Sequence, residues 1–241
     1  MGCSASSAAH WLDPGAAAMR RPIKDPALQA QSLALAGMTS KTDVAYAHAE
    51  LASELYELGE DTCDAAVAHA SAAAAFFMSC DLELLTAVGN LPAVTTVEKN
   101  EFSLDYLQML NFKTIACRRA AHELGEEDVK GRARMERALT YGLYLLKASQ
   151  ALYGDDETTP YYNIAATLIS IGEMYQFHRR FKDAEAYLTK AAAMYDALLS
   201  AEKAKNFNGE VQSRDDLKVS STFAKEAVAN CREGLIRNVE K

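Results

Sequence analysis

Apolar residues return every three or four positions along most of this chain, the spacing of one buried face on an α-helix. Within 160–177, Ala165, Leu168, Ile171, Gly172 and Tyr175 share a face, and within 181–200 Ala184, Leu188, Ala191 and Tyr195 do the same. Small residues (Gly172, Ala184, Ala191) stand where two helices must approach closely, with larger ones beside them. The periodicity predicts helices near 41–58, 61–79, 80–89, 102–124, 128–153, 160–177, 181–200 and 213–239. A further helical segment over 25–37 opens with Asp25 placed to cap and Pro26 at the first helical position. Residues 89–100 and 204–213 read as connectors. Residues 1–24, small and polar and broken by Pro14, Gly15 and Pro22, read as a flexible tail. The expected fold class is therefore all-α, with 25–241 forming one helical domain.

The stretch 153–198 carries a more specific pattern. Leu168, Ile171, Gly172, Tyr175, Ala184, Leu188 and Ala191 stand at the offsets of a large residue, Leu-Gly, Tyr, and Ala with a bulky residue and a second Ala. This resembles a tetratricopeptide repeat. The lead-in YGDDETTPYYNIAATL is similar to the longer, kinesin-light-chain type, although the usual closing proline is replaced by Asp196. One gapless shift carries Glu173 onto Glu54, Tyr175 onto Tyr56, Ala184 onto Ala65, Ala191 onto Ala72 and Tyr195 onto Phe76, so 41–79 looks like a degenerate copy. A third pair, 102–153, has suitable helix lengths, with Ala138 and Leu145 at its small and large positions. Its link, GEEDVKGRA, is about five residues longer than a standard repeat allows. The resemblance implies a helical-hairpin solenoid with its clearest repeat at 160–198 and a capping helix at 213–239. It also implies a concave groove lined by the first helix of each pair. Residue by residue, the groove positions are Glu50, Glu54 and Glu57 in the first copy, and Ile169, Glu173 and Gln176 in the clear one.

Charge sharpens the partner expectation. Arg20, Arg21 and Lys24 face only Asp13 within 1–24, so the net charge of -8 leaves -10 on the rest of the chain. An acidic body excludes nucleic acid as a main partner, because phosphate binding needs a basic surface. The acidic groove positions suit a basic or amphipathic protein segment; the plainer alternative is a solvated acidic face.

Linear signs of chemistry are absent from the sequence. The five histidines form no i, i+4 ligand pair, and a calcium loop with Gly131 at its sixth position would put Lys130 and Arg137 at acidic ligand positions. There is no glycine-rich phosphate loop and no nucleophile elbow. No cofactor, metal or catalytic residue is expected, and an enzyme would need groups converging from separate helices. Arg118, Arg119 and His122 offer an anion site, or more simply a helix face with salt partners. Five widely spaced cysteines without a CxxC pair suit a reducing compartment, with Cys3 a separate case. The most apolar run, 65–80, is alanine-rich and falls short of the roughly 20 strongly apolar residues that span a bilayer.

The first seven residues, MGCSASS, read as an address. Gly2 and Ser6 fit the M-G-x-x-x-S pattern of N-myristoylation, and Cys3 is placed for S-palmitoylation. One myristoyl chain binds membranes only with a constant on the order of 10⁴ M⁻¹, so a second acyl chain is what makes attachment stable. Arg20, Arg21 and Lys24 would add about 1 kcal/mol each against an anionic leaflet, and a flexible tail of this length reaches about 27 Å. The sequence thus points to a non-enzymatic adaptor on the cytosolic face of a membrane, plasma or ciliary/flagellar, recruiting a protein segment. Alternatives are a structural component of a cytoskeletal or ciliary assembly, or an enzyme without a linear motif.

Overall fold

The computed structural model describes residues 41–80, 103–153, 161–201 and 211–239. Among them are seven α-helices: α1 (Lys41–Glu57), α2 (Cys63–Cys80), α3 (Ser103–Leu124), α4 (Val129–Tyr153), α5 (Tyr162–Phe177), α6 (Phe181–Ser200) and α7 (Arg214–Val239). A single 3-10 turn, Glu60–Thr62, precedes α2, and the described residues hold no strand. The expected tail and the helical segments at 25–37 and 80–89 lie outside these residues, apart from Cys80, which closes α2.

Helix ends follow local chemistry. After α1, Gly59 takes φ +98°, a backbone region costly to residues with a Cβ, and Thr62 Oγ1 donates to Gly59 O at 2.9 Å. Gly125, at φ +90°, ends α3 with its N–H on Ala121 O at 2.9 Å. Asp128 then caps α4, its Oδ1 accepting from the backbone N–H of Lys130 (2.7 Å) and Gly131 (3.0 Å). The α3–α4 link is therefore only 125–128. The long connection suggested by GEEDVKGRA is mostly the first turn of α4, started by this cap. Ser213 Oγ accepts from the Asp216 N–H at 3.2 Å, and Asp215 and Asp216 place negative charge at the positive end of α7.

Each helix packs against the next one in sequence. Side chains also join alternate helices. Tyr46 of α1 donates to Asp105 of α3 at 2.8 Å, and the rings of Tyr56 and Phe112 meet edge-on at 5.6 Å. Arg118 of α3 pairs with Glu173 of α5 at 3.0 Å, and Gln176 of α5 donates to Ala227 O of α7 at 3.2 Å. Among the even helices, Arg137 of α4 pairs with Asp64 of α2 at 2.9 Å. The largest buried apolar cluster runs unbroken from Cys63 and Val67 of α2 to Val228 and Cys231 of α7. A second gathers Ala45 and Ala52 of α1 with the alanines of α2 and with Leu107, Leu110, Leu145 and Leu152.

Alanine and glycine set the spacing. A Cβ added to Gly172 would fall 2.5 Å from Leu188 Cγ, so α5 and α6 interlock with no room for a methyl group. Ala184, Leu188 and Ala191 are fully buried around that contact, as the spacing of small and large residues predicts. Ala138 and Leu145, the corresponding pair on α4, are buried too.

Candidate partner-binding face

One side of α3 buries Tyr106, Leu110, Lys113, Cys117 and Ala120. The other presents Gln108, Asn111, Ile115, Arg118 and His122, again three or four apart, so they form a stripe along the helix. On α5, Asn163, Ala166, Ser170 and Glu173 follow the same rule. The two stripes converge. A cleft of about 320 Å³ lies between α3 and α5, walled by Gln108 and Asn111 on one side and Asn163, Thr167 and Ser170 on the other. Gly142 and Leu145 of α4 form its floor; a Cβ at Gly142 would sit 2.9 Å from Met174 Cε, so the glycine lets α4 come close.

The walls combine amides and hydroxyls, neutral groups that donate and accept at once, with the apolar side chains of Leu104, Leu107 and Ala166. Thr167 Oγ1 donates to Asn163 O at 2.7 Å, while Gln108 and Asn111 are exposed. At one end Arg118 bonds both Ser170 Oγ and Glu173 Oε2 at 3.0 Å. Burial pushes the Glu173 carboxyl above its ordinary range, against the opposing pull of Arg118 and His122. Beyond it, Arg119 pairs with Glu123 at 2.9 Å and lies over the Tyr56 ring at 4.7 Å. Arg118 and Arg119 thus have salt partners. A larger open cleft, about 660 Å³, separates α4 from α6 and mixes Leu143, Tyr187 and Met194 with Lys147 and Lys190. It lacks the facing amides of the α3–α5 cleft.

The groove positions expected from the repeat resemblance have different surroundings. Glu50, Glu54 and Glu57 are exposed on α1. Ile169 is half-buried against two apolar clusters. Glu173 is held by Arg118, and Gln176 donates to Ala227 O and to Cys231 Sγ (3.0 Å), which ties α5 to α7. α3 touches both α1, which carries the three glutamates, and α5, which carries Ile169, Glu173 and Gln176. Gly2, Cys3, Arg20, Arg21 and Lys24 lie outside the described residues. Gln108, Asn111, Asn163, Thr167 and Ser170 are not among the sequence-derived positions, although the polar stripe on α3 is visible in its spacing.

Among the described residues no three His, Cys, Asp or Glu side chains gather to hold a metal ion, and no helix is long and apolar enough to cross a membrane. No family model matches the chain, and no curated protein is significantly similar to it.

Proposed function

We propose that the protein is a membrane-tethered adaptor. Its helices form a tetratricopeptide-like solenoid that grips a partner segment, and myristate on Gly2 with palmitate on Cys3 holds it at the cytosolic face of a membrane. The observation that carries the reading is the α3–α5 cleft, where side-chain amides and hydroxyls from two helices face each other across a gap. An extended peptide presents N–H and C=O groups along its length, and neutral amides satisfy both without demanding a particular side chain. Successive and alternate helix contacts support the solenoid arrangement. Glu50, Glu54 and Glu57 add a separate acidic stripe that favours basic residues in the same partner. Glu173 adds little to that attraction, because Arg118 already compensates it.

Two variants test the two halves. Gly2→Ala should move the protein from the membrane fraction to the soluble fraction of its own cells; persistence in the membrane fraction defeats the anchor. Asn111→Arg should fill the cleft with a charged side chain and abolish partner recruitment while leaving membrane attachment and the unfolding midpoint unchanged. Recruitment that survives Asn111→Arg defeats the cleft.

A further inference from the structure

The chain as a whole is acidic, but α4 is basic: it carries Lys130, Arg132, Arg134, Arg137 and Lys147 against Glu136 alone. Lys147 is exposed on the α4 wall of the α4–α6 cleft, and Lys190 is exposed on the α6 wall. The carboxylates of these helices are engaged elsewhere. On α6, Asp183 pairs with Arg180 at 2.9 Å, Glu185 with Arg232 at 2.7 Å and Asp196 with Lys225 at 2.7 Å. On α4, Glu136 lies 3.4 Å from His178. Among the described residues neither Lys147 nor Lys190 has a carboxylate partner. Two uncompensated cations therefore flank a gap of about 660 Å³.

Between them the lining is apolar. Leu143, Tyr187 and Met194 are half-buried there. Tyr187 stacks on Tyr175 with ring centroids 5.4 Å apart, so its ring is held in place before anything binds. Met194 is unbranched and adapts to the shape of an incoming side chain. A trough between two helices accepts the ridge of a third. The α3–α5 cleft rests on Gly142 and Leu145 of α4, whereas Leu143, Leu146 and Lys147 line this one, so the two clefts use different faces of α4.

We propose that the α4–α6 cleft is a second docking site, whose occupant is an acidic amphipathic helix of a partner protein. Apolar residues three or four apart on that helix enter the trough, and carboxylates beside the stripe pair with Lys147 and Lys190. Those pairs are solvated at the rim, so they set preference and association rate, while the buried apolar stripe supplies most of the affinity. A flat anionic bilayer fits less well, because Leu143, Tyr187 and Met194 line a depression instead of projecting from the surface. The site stands whether or not the α3–α5 cleft binds its own segment.

The test is fluorescence anisotropy with the full-length chain and a labelled helical peptide of about 18 residues, five turns, with leucines on one face and glutamates beside them. The control peptide has lysines in place of the glutamates. The glutamate peptide should bind about tenfold or more tighter than the lysine peptide, and less tightly as salt rises. Lys147→Glu combined with Lys190→Glu should reverse that preference. Lys130→Glu combined with Lys182→Glu makes the same change in net charge at exposed sites outside the cleft and should leave the preference in place. Equal affinity for the two peptides, or equal effects of the two double variants, would overturn the proposal. Two other results would replace the occupant: phosphatidylserine vesicles bound through Lys147 and Lys190 when the glutamate peptide is not, or self-association of the chain that is lost with Lys147→Glu and Lys190→Glu. The first would make it a bilayer, the second the acidic α1 of another copy, and either overturns the proposal.

Discussion

His69 sits buried on α2 with its Nδ1 2.7 Å from Nδ1 of His48 on α1, while its Nε2 has no hydrogen-bond partner. Burial, reinforced by His48, lowers the His69 pKa to about 4, and burial lowers that of His48 as well. The unfolded chain takes up a proton near the ordinary value of 6.5, so below that pH it binds protons that the folded pair refuses. Stability should be full above about pH 6.5 and fall as the pH drops toward 4, by about 2 kcal/mol at pH 5 from His69 alone. Urea unfolding at pH 7 and pH 5 measures this, and His69→Phe should flatten the difference. Gly172 makes a second point at this scale. A methyl group there meets Leu188, which is fully buried and has nowhere to go. Gly172→Ala should lower stability by about 1–2 kcal/mol, overpacking outweighing the gain in helix propensity; an unchanged denaturation midpoint would show that α6 can yield.

At the scale of the element, Asp128 shows how one side chain sets a helix start. Asp128→Ala removes the acceptor for two backbone N–H groups and should cost about 1 kcal/mol, with faster amide exchange at Lys130 and Gly131. Helix existence and extent were largely legible in the sequence, because the three-to-four spacing, Gly59, Gly125 and the capping residues act locally. The observed α1, α3 and α4 begin or end within one or two residues of expectation. The close approach of α5 and α6 was legible for the same reason, from Gly172, Ala184 and Ala191. The candidate face was only partly so. Repeat similarity carries groove positions into 41–79 and 160–198, but the pair 102–153 lacks the Leu-Gly-Tyr pattern, so α3 drops out of that argument. The Arg118–Glu173 pair and the Gln176 bond to Ala227 join residues more than 50 positions apart, and no local spacing reveals them.

At the scale of the whole molecule, the proposed adaptor depends on α3. It packs on α2 and α4, touches α1 and α5 through side chains, and carries one wall of the cleft. Breaking the α3–α5 tie with Arg118→Ala removes bonds to Ser170 and Glu173 and leaves Glu173 without its partner. It should cost about 1–3 kcal/mol by chemical denaturation and weaken partner recruitment beyond that loss, because the cleft walls would no longer be held in register. The most direct measurement is site-specific photo-crosslinking in the protein's own cells, with a photoreactive amino acid in place of Ile115, which stands on the same stripe of α3 but outside the cleft lining. The account predicts a discrete partner segment attached at that position, lost when Asn163→Arg is added and lost from the membrane fraction with Gly2→Ala. Crosslinks that are diffuse, or that persist unchanged with Asn163→Arg, would contradict it.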